Sequence, residues 1–154
     1  LLRGSQHVGT SMIEIYQNCN VFNDGAFEVF TDKGTKLQET LFLEQGKPLI
    51  FGAEREKAIA LDGPNPRVVN LAEANEGDLM IHDETNRFQA QLLTSFFDDP
   101  KMEGHLPRPF GVFYAEDRYR YEEAMEEQIA FATDKFGKGN LDKLLSGNNV
   151  WTVD

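Results

Sequence analysis

The run Thr10-Ser11-Met12-Ile13-Glu14-Ile15-Tyr16 limits the folds open to this chain more than any other segment. It is almost continuously apolar and is broken by a single glutamate. Runs of this kind belong to central strands of parallel sheets, covered on both faces. A parallel strand needs neighbours joined through long crossover connections, and the rest of the chain supplies few of them. The sequence therefore predicts a strand at Met12–Tyr16 that completes a parallel sheet whose other strands lie elsewhere. The alternative is a strand covered on one face only, with Glu14 in solvent. The chain starts Leu1-Leu2-Arg3-Gly4 without a methionine, and Leu1–His7 reads as the tail of a helix. Together these features lead to the expectation of a truncated piece of a longer protein.

Directly after that run comes Gln17-Asn18-Cys19-Asn20-Val21-Phe22-Asn23-Asp24-Gly25, which holds the chain's single cysteine. A thiol at a strand end, flanked by amides and followed by a glycine turn, suits a metal-ligand position. It cannot be a complete site, because a cysteine-held iron or zinc centre takes about four protein ligands. Two other readings stay open on the residues alone. A lone cysteine is commonly a buried small hydrophobe, although three neighbouring amides suit apolar burial poorly. A nucleophilic cysteine needs a histidine base within reach, and sequence alone places none beside Cys19.

Other chemistry-bearing groups are sparse. His7, His82 and His105 are scattered and lack metal-ligand spacing. In His82-Asp83-Glu84, consecutive residues of a strand point to opposite faces and converge poorly; a strand end followed by a helix cap is the better reading. No phosphate-binding glycine loop, dinucleotide fingerprint or nucleophile elbow is present.

Charge and size exclude further classes. The 154 residues, 40% of them hydrophobic, suit one domain with its own core. With 26 acidic against 15 basic residues the net charge is −11, which argues against nucleic-acid binding and against docking on an anionic membrane. No apolar run approaches the ~20 residues of a membrane span, and no signal peptide is visible. One cysteine excludes an internal disulfide and suits a reducing cytoplasm.

Periodicity predicts a mixed α and β organisation beyond Asn23. Ala26–Thr31 is a short amphipathic segment ended by the turn Asp32-Lys33-Gly34. Thr40–Leu43 and Pro48–Phe51 are strand-like, with Glu44–Lys47 as a hairpin connection. Lys57–Leu61 and Arg67–Leu71 flank an Asp62–Pro66 loop. Asp78–Ile81 reads as another strand, and Phe110–Ala115 as one more after Pro107 and Pro109. A helix is expected from Thr85 to Phe97, capped by Asp83 or Thr85. Its apolar face is Phe88, Leu92 and Phe96, widened by Leu93 and Phe97, and Asp98-Asp99-Pro100 stops it. A second helix spans Tyr119–Phe136, with Glu122, Glu123, Glu126 and Glu127 in its first half, where the helix dipole favours negative charge. Gly137 ends it, and Asn140–Leu145 forms a last short helix.

The stretch Gly9–Phe27, with its Tyr16-Gln17-Asn18-Cys19-Asn20-Val21-Phe22-Asn23-Asp24-Gly25 motif, resembles the β subunit of 2-oxoacid:ferredoxin oxidoreductases, and within that family the 2-oxoglutarate (KorB-type) branch. Gly46–Gly52, Ile81-His82-Asp83 and Phe110-Gly111-Val112-Phe113 agree in the same order. The ending Leu144–Asp154 resembles the branch's C-terminus.

The resemblance implies an enzyme that decarboxylates a 2-oxoacid on thiamine diphosphate with Mg²⁺. It passes electrons through a [4Fe–4S] cluster to ferredoxin and forms the acyl-CoA together with an α subunit. It also implies that Cys19 is the fourth cluster ligand. The other three cysteines, the diphosphate-binding segment and the Mg²⁺ ligands would lie upstream of Leu1, and the catalytic residues upstream or in the α subunit. The implied fold is α/β. Residues 1–31 would form the last strand and ligand loop of the thiamine-diphosphate domain, and residues 32–154 a mixed α+β C-terminal extension. Backbone N–H groups of Asn20–Asp24, or the amides of Asn18 and Asn20, are expected to hydrogen-bond the sulfur. Ferredoxins are acidic too, so docking is expected through basic groups rather than through the Glu122–Glu127 face. A fragment of this kind is expected to be inactive alone. The rival from another class is a small acidic binding or assembly module in which Cys19 is only a buried thiol.

Overall fold

The computed structural model describes residues 1–96 and 101–148, together with Trp151 and Val153. The expected helix stop at Asp98-Asp99-Pro100 lies outside the described residues, as do Phe97, Asn149, Val150, Thr152 and Asp154. The chain divides into two compact units, residues 12–116 and a second made of residues 1–11 with 117–154.

Within residues 12–116 two helical turns come first, α2 (Glu28–Thr31) and α3 (Lys36–Glu39), α1 (Leu2–Gln6) belonging to the other unit. They are followed by β1 (Thr40–Phe42), β2 (Ile50–Phe51), β3 (Lys57–Asp62) and β4 (Asn65–Asn70). A 3₁₀ turn at Glu76–Asp78, helix α4 (Arg87–Thr94) and strand β5 (Arg108–Phe110) complete the unit. The sheets are small. β1 runs parallel to β5, with Thr40 opposite Arg108 and Phe42 opposite Phe110. β2, β3 and β4 form an antiparallel meander. Glu44–Lys47 is thus no hairpin loop: the strands on either side of it pair with different partners.

The β3–β4 hairpin is tighter than the expected Asp62–Pro66 loop. Asp62 pairs with Asn65, leaving Gly63-Pro64 as the two turn residues. Gly63 has φ +58° and the proline ring fixes a negative φ after it, the signature of a type II′ turn that matches strand twist. Pro66 lies in β4, an edge strand, where its missing N–H costs no ladder bond to a further strand. The expected strand at Asp78–Ile81 is reduced to isolated bridges, Leu79 with Ala60 and Ile81 with Pro48. Even so, Met80 N–H donates to Ile59 O at 2.9 Å and Leu49 N–H donates to Met80 O at 2.9 Å, which sews this segment to the meander.

The core gathers Leu41, Leu43, Leu49, Phe51, Ile59, Met80, Leu93 and Phe96. Helix α4 meets it through Leu93, with Leu92 packed alongside, and Phe96 joins it just past the helix. The expected Phe88 face is corrected: Phe88 is 69% exposed and sits under the Arg87 guanidinium. Neither Asp83 nor Thr85 caps α4. Asn86 does, accepting from Phe88 N–H and Gln89 N–H at 3.1 Å each. Asp83 instead closes its own turn, its carboxylate accepting from the Thr85 N–H at 2.9 Å and hydroxyl at 2.8 Å.

The largest correction concerns Thr10–Tyr16. No strand forms there, and Met12 is 93% and Ile15 66% exposed. An extended segment becomes a strand only when a neighbour accepts its backbone bonds, and none of the described residues of this unit pairs with it. The other strands of the parallel sheet expected to end at Met12–Tyr16 were expected outside these residues; the parallel pairing among the described residues is β1 with β5. Strand β5 likewise sits at Arg108–Phe110 rather than Phe110–Ala115. Its register is dictated by β1, sixty-odd residues away, and Gly111 interrupts it at φ +142°.

The second unit contains helices α1 (Leu2–Gln6), α5 (Tyr121–Phe136) and α6 (Leu141–Ser146). Helix α5 falls where periodicity placed it, opened by Glu123, whose carboxylate accepts from the Arg120 N–H at 3.1 Å, and closed by Gly137 at φ +78°. Asn140 caps α6, accepting from Lys143 N–H at 2.8 Å.

Candidate functional site

The candidate residue, Cys19, lies in a turn held on the surface of residues 12–116 and is half-buried. An aromatic cluster fixes the turn on the two-stranded parallel sheet. Tyr16 stacks on Phe27 at 4.6 Å between ring centroids and meets Phe110 of β5 edge-on at 5.5 Å. Phe30 of α2 lies edge-on to Phe110 at 6.1 Å. The Arg108 guanidinium lies over Phe30 at 5.2 Å and donates from Nη1 to the Tyr16 hydroxyl at 3.0 Å. The chain on both sides of Cys19 is thus anchored, through Tyr16 before it and Phe27 and Phe30 after it.

Between the anchors the backbone closes on itself. Asn23 N–H donates to Cys19 O at 2.9 Å, pairing the two residues in an isolated antiparallel bridge. The backbone N–H groups of Phe22, Val21 and Asn23 face the Cys19 thiol and hold its pKa below the ordinary value, Phe22 contributing most and partial burial opposing them. The Asn23 contribution is the smallest of the three, as expected for an N–H already committed to the Cys19 carbonyl. These donors favour the thiolate, the form that binds iron, over the neutral thiol.

The amides play a different part from the expected one. Asn18 Oδ1 accepts from Gly25 N–H at 2.9 Å, and Asn18 Nδ2 donates to Asp24 Oδ1 at 2.9 Å and to Asn20 Oδ1 at 3.0 Å. Asn18 and Asn20 therefore brace the loop rather than the sulfur. The clustering of amides around Cys19 was the signal in the sequence; which atoms they meet was not.

The other candidates do not converge on Cys19. His82 is buried in the core with Nε2 at 2.8 Å from Val112 O. His105 lies between Met102 O at 2.8 Å and the Glu39 carboxylate at 2.5 Å. Among the described residues no group of three or more His, Cys, Asp and Glu side chains is placed to hold a metal ion. Cys19 thus stands apart from these groups, and a cluster at its thiol would need its other ligands from outside the described residues. No helix among the described residues is long and apolar enough to cross a membrane.

No family model matches the chain, and no solved structure matches it. Among curated proteins, the 2-oxoglutarate oxidoreductase subunit KorB of Mycobacterium tuberculosis is 29% identical over 165 aligned positions, covering 100% of this chain. The chain is similar to KorB from end to end. It spans 41% of the length of that KorB subunit. The resemblance carried by Gly9–Phe27 and the later segments is borne out by a match that includes them all.

Proposed function

We propose that this chain is part of a KorB-like subunit of a 2-oxoacid:ferredoxin oxidoreductase and that Cys19 supplies one thiolate to its [4Fe–4S] cluster. The observation that carries this reading is the similarity to KorB across the whole chain, together with a single cysteine whose thiol faces backbone N–H donors. The relative's name makes 2-oxoglutarate the first substrate to test, with CoA as acyl acceptor in this reading. A partner α subunit follows from the same likeness. Thiamine diphosphate and Mg²⁺ are assigned to parts of the enzyme other than these residues.

When bound, the cluster supplies one-electron transfer toward ferredoxin. This chain's contribution is to hold and tune one iron. Cys19 brings the thiolate, and the N–H groups of Val21 and Phe22 offset negative charge on its sulfur, which bears on the potential at which the cluster accepts an electron. Tyr16, Phe27 and Phe30 fix the loop, so the ligand is delivered by a rigid element. A cysteine drawn from this region also ties it to whatever part of the subunit holds the other ligands.

The test is reconstitution of the complete subunit with iron and sulfide. Cys19→Ala abolishes or strongly depletes the brown [4Fe–4S] chromophore, while a Cys19→Ala subunit with wild-type iron content and spectrum overturns the ligand assignment.

A further inference from the structure

We propose that the groove between strands β1 and β2 binds a phosphate monoester. Lys47 and Arg55 hold the phosphate head, and Leu37, Phe42 and Ile50 take an apolar body. The inference stands independently of the cluster reading.

The groove measures about 570 Å³ and is lined by residues of α3, β1, β2 and the turns beside them, within the usual size of a small-molecule site. β1 hydrogen-bonds to β5 and β2 to β3, so no ladder closes the space between β1 and β2. Leu37 and Phe42 are 50% and 52% exposed there, and Ile50 shares the lining. Lys47 and Arg55 line the groove as well, and no ion pair among the described residues engages either. In a chain of net charge −11, unpaired cations at one groove are unexpected. Two more cations stand over its rings: Lys36 Nζ is 5.9 Å from the Phe42 centroid and Lys57 Nζ 5.7 Å from that of Phe51. Glu44 is the acidic residue on the lining. The Glu56 carboxylate packs against Gly52 and is engaged by Glu54 N–H at 2.9 Å and Gln38 Nε2 at 3.3 Å.

Arg55 carries the inference furthest. It is the one non-glycine residue with a positive φ, +58°, among the described residues. A left-handed backbone costs an L-residue energy that glycine avoids, and such strain collects at functional sites. The β2–β3 turn fixes it: Gly52 has φ +99°, and Arg55 N–H donates to Gly52 O at 3.1 Å. Ala53 N–H, on the same lining, donates to no acceptor among the described residues. An arginine at a position that suits glycine puts a guanidinium where a backbone residue alone would be less strained. Its fork matches phosphate oxygens. A phosphate monoester carries roughly −1.5 to −2 at neutral pH, which suits a lysine–arginine pair better than the single charge of a carboxylate.

The test uses the full chain labelled with nitrogen-15, titrated with phenyl phosphate at constant ionic strength and followed by NMR. Saturable shifts of the Lys47, Gly52, Ala53 and Arg55 amides are expected. Lys47→Gln and Arg55→Gly should each weaken binding by about tenfold or more, the loss of one charge-assisted hydrogen bond. Lys138→Gln, in the other unit, should leave binding unchanged. Arg55→Gly should also unfold in urea at the wild-type midpoint or above it, because the strain leaves with the side chain. Binding lost without stability lost separates a ligand role from a structural one. Shifts that grow without saturating or scatter over the whole chain overturn the proposal. So does an Arg55→Gly chain that binds like the wild type, or one that unfolds at lower urea. Benzoate saturating as tightly as phenyl phosphate overturns the phosphate assignment.

Discussion

Arg108 Nη1 donates to the Tyr16 hydroxyl at 3.0 Å, joining strand β5 to the residue three positions before Cys19 across 92 residues of sequence. The same guanidinium lies 6.0 Å from the Tyr16 ring centroid, so it binds the tyrosine by its edge hydroxyl and lies near its face. Tyr16 is thus the post on which the Cys19 turn is hung.

Tyr16→Phe keeps the ring contacts with Phe27, Phe30 and Phe110 and loses only the hydroxyl acceptor, at a cost of about 1 kcal/mol. Tyr16→Ala loses the rings' packing as well, and about 2–3 kcal/mol is expected for this half-buried site. Urea unfolding of the two variants separates these values. If Tyr16→Ala unfolds at the wild-type midpoint, the aromatic cluster does not anchor the turn.

Much of this arrangement could not be read from the sequence, and the reasons differ by residue. Helices α5 and α6 were legible because their signals are local: apolar spacing, glutamates at the start, Asn140 as cap and Gly137 as stop. The β3–β4 pair was legible because Gly63-Pro64 forces a turn between two short β runs. Met12–Tyr16 forms no strand here because hydrophobic patterning reports what a segment would bury, and its expected pairing partners lie outside these residues. Cys19 was legible as a candidate from its polar surroundings. The brace from Asn18 was not, since a carboxamide can donate or accept in many directions and only the folded turn selects Asn20, Asp24 and Gly25.

Gly111 offers a sharper test of the parallel pair. Its φ is +142°, and a Cβ there would stand 2.9 Å from both the Cβ and the carbonyl oxygen of Leu43. Leu43 N–H donates to Phe110 O at 2.8 Å, so neither neighbour can withdraw without breaking the continuation of the β1–β5 ladder. Gly111→Ala is expected to destabilise by about 2–4 kcal/mol through strain and overlap together. Gly46 also has a positive φ, +73°, but open space around its missing Cβ, and Gly46→Ala should cost about 1–2 kcal/mol from backbone strain alone. Equal losses in the two variants, measured by thermal or urea unfolding, would remove the close approach of Gly111 to Leu43 as an explanation.

The pH test falls on the second unit. The Tyr119 hydroxyl donates to the Glu127 carboxylate, and that bond, with the Glu127 and Glu123 charges, pushes the tyrosine pKa up to about 12. An acceptor that is already anionic favours the protonated phenol, because ionisation would both break the bond and place two negative charges together. The folded pKa is raised above the unfolded value of about 10. Any stability from this contact is therefore complete below that unfolded value and is lost as pH climbs through the folded one. The residue is exposed, so the energetic share is small and the titration is the better readout. Ultraviolet difference spectroscopy should show a late tyrosine ionisation in the wild-type chain that depends on Glu127. Glu127→Gln should return Tyr119 toward the ordinary range, and a tyrosine titration unchanged by that substitution would show that the Tyr119–Glu127 bond does not persist in solution.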